Sequence, residues 1–166
     1  MSMIKRLILL ITITFVSVGI DQGTKLFAAE NLPKYEMTSY LADTLRIGYV
    51  ENTGAFLGLG SDLPDNVRFW IFVFAVGVIL LALLIYIIRT KTQTAYALGS
   101  LSLIFSGGIS NFYDRAMNNG AVIDFLNIGV GSLRTGIFNV ADMAIMLGVF
   151  LLLFAKEKQD TPPKGA

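Results

Sequence analysis

The chain alternates between long apolar stretches and polar connections. Four stretches predict membrane spans at about residues 4–24, 68–89, 92–114 and 135–155. A helix that crosses a bilayer needs roughly 20 predominantly apolar residues, and each stretch comes close to that length. The strand-like alternation of a transmembrane barrel is missing from them. We therefore expect an α-helical integral membrane protein with four transmembrane helices, folded as a single membrane domain over residues 1–166.

The first stretch also has the shape of a cleaved signal peptide, because Lys5 and Arg6 precede its apolar run. Three further spans follow it in the same chain. They favour the alternative that the first stretch is an uncleaved transmembrane helix.

Shorter patterns in the polar connections predict strands. Residues 44–52 alternate partly between apolar and polar positions, and residues 121–138 mix β-branched residues with glycine. The two segments come from the loops at 25–67 and 115–134, which lie on the same side of the membrane if all four spans cross it. We expect strands from both loops to pair into a small sheet at the membrane surface.

Composition and charge support this interpretation and give it a direction. Only 15% of the residues are charged and 54% are hydrophobic, whereas about 25% charged residues is usual for soluble domains. The segments on the side of the termini carry seven Lys and Arg against two carboxylates, and the rest of the chain carries six against ten. Because Lys and Arg in short segments mark the cytoplasmic side, we predict that both termini are cytoplasmic. The tail at 156–166 is expected to be disordered.

The absent residue types exclude several chemistries. The chain has no Cys and no His, so disulfides, thiolate nucleophiles, Ser-His-Asp triads and nearly all zinc hydrolase sites are excluded. No basic patch interleaved with aromatic residues indicates a nucleic-acid partner. If the protein is a hydrolase, a pair of carboxylates is the strongest candidate for its catalytic groups.

Two aspartates occupy apolar surroundings. Asp142 is the only charge between Arg134 and Lys156, and a carboxylate at the centre of a membrane helix costs roughly 2.5–3.5 kcal/mol, which makes function the default expectation. Asp124 lies on an otherwise apolar face if residues 121–126 form a strand. Two carboxylates brought close together share one proton, so one can take a proton from water while the other donates to a carbonyl oxygen.

Polar residues near these aspartates suggest supporting roles. Asn139 is three residues before Asp142, so the two are expected to share a helix face. Asn111, Asp114 and Arg115 have the spacing i, i+3 and i+4, so they are expected to point to one side, with Arg115 pairing with a carboxylate.

Two further motifs come earlier in the chain. Asp21 and Lys25 are spaced to pair where the first helix leaves the bilayer, and we interpret them as a structural cap and anchor. Asn52 and Gly54 precede flexible backbone that is suited to holding an extended peptide.

Taken together, these motifs resemble lipoprotein signal peptidase, the type II signal peptidase of bacteria. Five segments carry the resemblance in order, at residues 21–25, 52–55, 107–115, 122–125 and 138–142. The family usually has two alanines and then Phe after the glycine of its second motif, whereas here Ala55 is followed directly by Phe56. This departure bears on the substrate contacts of the loop and leaves the aspartates unaffected.

The resemblance implies an aspartic endopeptidase of the inner membrane, with four helices and a small extracytoplasmic β-cradle. Its substrate would be a prolipoprotein, cut just before a cysteine that carries diacylglycerol, in contact with membrane lipids. Globomycin-type peptides would inhibit it, and no cofactor or metal is implied. The catalytic dyad falls on Asp124 and Asp142, near the outer leaflet, with either residue able to be the base. Supporting residues fall on Asn52, Gly54, Asn111, Arg115, Asn139 and Ala141, while Asp21, Lys25 and Asp114 are expected to be structural.

Three other functions compete with this one. A small transporter with Asp142 as a proton relay predicts charged residues in several spans, but a single buried charge is expected here, with the other charges clustered at the outer side. A non-catalytic assembly protein is disfavoured because the motifs are intact. A metal-dependent phosphotransferase is weaker still, because its Asp-rich motif within a span is missing.

Overall fold

The computed structural model describes residues 1–54 and 60–155, in which five α-helices and four strands follow one another. The helices are α1 (Met3–Asn31), α2 (Asp65–Arg68), α3 (Val76–Arg89), α4 (Ala95–Met117) and α5 (Val140–Leu152), and a π-helical segment, Phe69–Ala75, joins α2 to α3. The strands are β1 (Met37–Tyr40), β2 (Leu45–Asn52), β3 (Val122–Val130) and β4 (Leu133–Arg134). The motif departure at Ala55 and Phe56 and the expected disorder of the tail lie outside the described residues.

Two helical segments, Met3–Asn31 and Asn66–Arg89, are long and apolar enough to cross a membrane, and Val140–Leu152 is a shorter apolar helix. The first helix runs well past the predicted end at residue 24. It starts at the N-cap Ser2 and ends two residues before Pro33, a residue that cannot continue a helix. The longer α1 carries its second half into contact with the sheet.

α4 contacts α1, α3 and α5. Its packing against α5 depends on two glycines, one on each helix. A Cβ at Gly107 of α4 would overlap the carbonyl oxygen of Ala141, and a Cβ at Gly148 of α5 would lie 2.7 Å from the carbonyl oxygen of Ser100. Glycine at these positions therefore lets the two backbones approach closely, as small residues do between membrane helices.

The four strands form one antiparallel sheet in the order β1-β2-β3-β4. β2 comes from the first loop and β3 from the second, so the predicted pairing of strands from both loops is confirmed. Val50 lies opposite Asp124 and Asn52 lies opposite Val122 in the register of this pair. The sheet thus places Asp124 beside the end of β2, where the polar segment around Asn52 begins.

α5 begins later than the predicted span at 135–155. The backbone N–H of Leu126 donates to the carbonyl of Phe138 at 2.9 Å, which keeps residues 135–138 extended along β3. Asn139 is then the N-cap of α5, and Asp142 lies in its first turn. The expectation that Asn139 and Asp142 share a helix face is therefore wrong: they contact each other through a capping box, because an Asn side chain competes well for the free N–H groups at a helix start.

Candidate active site

Asp124 of β3 and Asp142 of α5 line the same small cavity. Its volume is about 20 Å³, and a single water molecule needs roughly 10–15 Å³ of such space. The cavity therefore has room for one water between the carboxylates. Its lining residues are Asn52, Asn111, Arg115, Val122, Asp124, Ile137 and Asp142.

The Asp124 carboxylate is almost fully buried, at 2% exposure. It accepts hydrogen bonds from Asn52 Nδ2 at 2.9 Å and from Asn139 Nδ2 at 2.7 Å. Burial raises the pKa of Asp124 to about 6, the two amide donors oppose this rise, and the nearby charge of Asp142 adds to it. Asp124 can therefore exist in both protonation states close to neutral pH, as a group that gives or takes a proton must.

The Asp142 carboxylate is held from two sides. Asn111 Nδ2 donates to its Oδ1 at 2.8 Å, and the backbone N–H of Asn139 donates to its Oδ2 at 3.2 Å. The backbone N–H of Asp142 donates in return to Asn139 Oδ1 at 2.9 Å, which completes the capping box. Asn139 therefore contacts both aspartates.

Arg115 does not form the expected ion pair: no carboxylate lies within 4 Å of it among the residues that the structure describes. Its Nη2 donates instead to the carbonyl of Gly54 at 2.8 Å, and its guanidinium lies 5.6 Å from the centre of the Phe72 ring. The spacing of the motif could not reveal this arrangement, because Gly54 belongs to another loop. The guanidinium still lines the cavity of the two aspartates.

Asn52 connects the sheet to the following loop. Besides donating to Asp124, it accepts a hydrogen bond at its Oδ1 from the backbone N–H of Gly54 at 3.0 Å, which is an Asx-turn. This turn fixes the chain as it leaves β2 and brings the carbonyl of Gly54 to Arg115. The predicted group of Asn52, Gly54 and Arg115 is thus assembled at the site.

A larger groove opens onto Asp124. Its volume is about 360 Å³, and it is formed by the end of β2, the loop after it and the segment before α5. Gly136 is the one glycine among the described residues of its lining. The lining residues are Val50, Glu51, Asn52, Thr53, Ser61, Asp124, Gly136 and Ile137.

A cluster of buried charges lies behind the cavity. Lys25 is 1% exposed and its Nζ lies 2.7 Å from Asp21 Oδ2 and 2.8 Å from Asp114 Oδ2. The predicted pairing of Asp21 with Lys25 is confirmed, but its interpretation as a helix cap is wrong. Because α1 continues to Asn31, the pair lies inside the contact of α1 with α4 and α5.

Two members of this cluster were missed from the sequence. Gln22 Nε2 donates to Asp114 Oδ1 at 2.8 Å, and Ser110 Oγ donates to Asp21 Oδ2 at 2.7 Å. The only sign of their role in the sequence is their position, because Gln22 follows Asp21 and Ser110 precedes Asn111. Ala141, expected to support the site, donates its backbone N–H to Asp21 Oδ1 at 2.7 Å. This hydrogen bond attaches α5 to the same cluster.

No group of three or more His, Cys, Asp or Glu side chains is placed to hold a metal ion within residues 1–54 and 60–155.

Comparison with known proteins gives consistent matches. The signal peptidase (SPase) II family model matches residues 13–156. A lipoprotein signal peptidase of Geobacter metallireducens is 36% identical over 140 residues, covering 84% of this chain and 85% of the relative. One of Brevibacillus brevis is 34% identical over 141 residues, covering 85% of this chain and 89% of the relative.

Two solved bacterial membrane enzymes have similar folds. One has a TM-score of 0.74 at 29% identity and covers 87% of this chain and 85% of that chain. The other has a TM-score of 0.72 at 28% identity and covers 87% of this chain and 90% of that chain.

Proposed function

Because this chain belongs to the signal peptidase II family, and is therefore an aspartic membrane peptidase that removes signal peptides from prolipoproteins, we propose that Asp124 and Asp142 are its catalytic pair. The observation that carries the proposal is the cavity between them. It has room for one water molecule, and its carboxylates belong to two different elements that Asn139 connects.

The chemistry follows from one proton shared by two carboxylates. The ionised aspartate removes a proton from the water, and the oxygen of that water attacks the peptide carbonyl carbon. The protonated aspartate donates its proton to the carbonyl oxygen, which gives a neutral tetrahedral intermediate. Collapse of the intermediate breaks the C–N bond: the aspartate that took the proton from water gives it to the leaving amine, and the ionised aspartate takes a proton from a hydroxyl group of the intermediate, which restores the single shared proton. The two groups titrate as a pair, and either can hold the proton at the start.

The neighbouring residues have distinct roles in this proposal. Asn111 and Asn139 orient the carboxylates through their amide groups, and Asn52 does so for Asp124. Arg115 supplies a positive charge at the cavity and donates a hydrogen bond to the backbone carbonyl of Gly54, a residue that we propose contacts the substrate chain.

The substrate proposed for the groove beside Asp124 is a prolipoprotein whose cysteine already carries diacylglycerol, cut just before that cysteine. Its acyl chains lie in the outer leaflet, so its scissile bond lies near the membrane surface. The groove is open to an extended peptide, and the exposed apolar side chains of α1 and α3 suit contact with membrane lipids. Globomycin-type peptides are proposed to occupy the same groove.

Four transmembrane helices are proposed for this single membrane domain, formed by α1, the helical segment Asn66–Arg89, α4 and α5. α4 has 23 residues, a length of about 34 Å that spans a typical hydrocarbon core. Its buried serines and charges face the other helices, which explains its low hydropathy. Both termini are placed in the cytoplasm and the dyad near the outer leaflet of the inner membrane, on the basis of the charge distribution.

The decisive experiment uses the purified protein in detergent with a diacylglyceryl prolipoprotein as substrate. Asp124→Asn and Asp142→Asn are each expected to abolish cleavage while the parent cleaves, and a chelator is expected to leave the parent's rate unchanged. Asp43→Asn, in the turn between β1 and β2, serves as the matched control and should cleave normally. Full activity in either dyad variant, or loss of activity with the chelator, would refute the proposed mechanism.

A further inference from the structure

Lys25 is a buried cation that the proposed chemistry does not use. Its Nζ lies 2.7 Å from Asp21 Oδ2, 2.8 Å from Asp114 Oδ2 and 2.8 Å from Asn111 Oδ1. An ammonium group has three N–H donors and no acceptor, so each donor has one partner. Two carboxylates already more than offset the charge of Lys25. The third donor goes to an uncharged amide oxygen, the one that belongs to a residue of the active site.

This third hydrogen bond determines which way the Asn111 amide faces. Asn111 Oδ1 accepts from Lys25 Nζ and also from Asn139 Nδ2 at 3.2 Å. A carboxamide carries its oxygen and its NH₂ group on opposite sides, so the NH₂ group must face the other way. There it donates to Asp142 Oδ1 at 2.8 Å. Reversing the amide would bring its NH₂ group against the ammonium and its oxygen against the Asp142 carboxylate.

We propose that Lys25 is a positioning residue for the reaction, which acts on Asp142 through the amide of Asn111. The proposal rests on the catalytic role proposed for Asp142. The cluster is also attached to the start of α5, because Asp21 Oδ1 accepts the backbone N–H of Ala141 at 2.7 Å. Lys25 therefore sets the direction of the donor that Asp142 receives.

The first test replaces Lys25 with Met, which keeps the length of the side chain and removes its donors. We expect kcat to fall by about tenfold to a hundredfold, the size of effect that follows from misplacing a catalytic group, with KM changed far less. The matched control is Arg6→Met, on the same helix. Arg6 is likewise a buried cation with three hydrogen bonds, to Ile87 O, Thr90 O and Gln93 Oε1, but none of them reaches the active site. Arg6→Met should lower the unfolding temperature and leave kcat unchanged.

A double-mutant cycle separates positioning from a general loss of stability. If Lys25 acts through Asn111, then Lys25→Met should have little further effect on kcat once Asn111→Ala is present, because the two residues belong to one chain of contacts. If the double variant instead lost kcat by the product of the two single-variant factors, the two residues would act independently and the proposal would be overturned.

Lys25→Met leaves two buried carboxylates without their cation, so a charge-matched form is needed as well. The double variant Lys25→Met with Asp114→Asn keeps the net charge of the cluster, and Asp114→Asn alone is its reference. The double variant is expected to fold and to show the same loss of kcat against that reference. If Asp142→Asn still cleaves, the proposed catalytic pair is wrong. If Asp142→Asn is inactive but the charge-matched form cleaves at the rate of its reference, only the role of Lys25 is wrong.

Discussion

Asn139 Nδ2 lies 2.7 Å from Asp124 Oδ1, while the backbone N–H of the same residue donates to Asp142 Oδ2 at 3.2 Å. Asn139 is fully buried, and its Oδ1 is occupied by the backbone N–H of Asp142, so its amide cannot reverse without losing contacts. A single residue, at the junction of the sheet and α5, therefore fixes the position of both carboxylates.

The first prediction concerns this residue. Asn139→Ala removes the amide that orients Asp124 and the side-chain half of the capping box, so kcat should fall by about a hundredfold through misplacement of the pair, with a smaller change in KM. The loss of the cap should also cost about 1 kcal/mol of stability. Asn127→Ala is the control. Asn127 is a buried residue of β3, the strand that carries Asp124, and its amide donates to the carbonyl of Thr135. Steady-state kinetics on a prolipoprotein substrate would count against the role of Asn139 if both variants lost kcat equally.

The position of Asp124 follows from local patterns that the sequence displays. Partial alternation at 44–52 and the β-branched residues after 121 predicted two strands, and pairing β2 with β3 brings Asp124 opposite Val50. Both strands are short-range features, so their existence could be predicted. Their register depends on how two distant segments meet, and it could not.

Asp142 shows where prediction failed, and why. Hydropathy treats residues 135–139 as part of the span, because it does not register that the carbonyl of Phe138 accepts a hydrogen bond from the backbone of β3.

Lys25 is a similar case. Its i, i+4 spacing revealed Asp21, but its other partners, Asp114 and Asn111, come from α4 and are fixed only by the packing of α1 against that helix.

A second prediction tests the close approach of α4 and α5 beside the site. Gly107→Ala places a methyl group against the carbonyl of Ala141, a backbone atom that cannot move aside. We expect a loss of roughly 1–3 kcal/mol of stability from this overpacking, together with reduced kcat, because Ala141 adjoins Asp142. Thermal unfolding and cleavage assays measure the two effects.

Gly99→Ala is the control for this substitution. It lies on the same helix, and the nearest atom to its added methyl group would be the end of the Ile13 side chain at 3.8 Å, an ordinary contact distance. It should be neutral or slightly stabilising, since Ala is a better helix former than Gly. If Gly107→Ala were as well tolerated as Gly99→Ala, the packing of α4 on α5 would be looser than described.

A third prediction concerns Arg115. Arg115→Met removes the hydrogen bond to the carbonyl of Gly54 and the positive charge that lines the cavity. Hydrogen bonds to charged groups contribute about 1.5–3 kcal/mol, so kcat/KM should fall by about tenfold to a hundredfold. Arg46→Met is the control, because Arg46 forms an exposed ion pair with Asp43 and such pairs contribute at most about 1 kcal/mol. Equal kcat/KM for Arg115→Met and the parent would contradict the role of Arg115 at the site.

The last prediction uses the pH dependence of stability. Burial raises the pKa of Asp124 from its usual 3.8 to about 6 in the folded protein. A raised pKa contributes stability that is fully present below the unfolded value near 3.8 and is lost as the pH rises through about 6. Asp124→Asn has no such dependence. The parent should therefore lose stability relative to Asp124→Asn between pH 4 and pH 7, by at most about 3 kcal/mol, since one pKa unit corresponds to about 1.4 kcal/mol.

Asp43 supplies a control of opposite sign for this last measurement. The hydrogen bonds from Arg46 lower the pKa of Asp43, so its contribution is present above pH 4 and is lost as the pH falls below that value. Relative to Asp43→Asn, the parent should therefore lose stability on acidification, whereas relative to Asp124→Asn it should lose stability as the pH rises. Thermal unfolding in detergent at pH 4, 5, 6 and 7 measures the difference from Asp124→Asn, and thermal unfolding at pH 2, 3 and 4 measures the difference from Asp43→Asn. A difference between the parent and Asp124→Asn that stayed constant from pH 4 to pH 7 would contradict the prediction. It would mean that the pKa of Asp124 is the same in the folded and the unfolded chain.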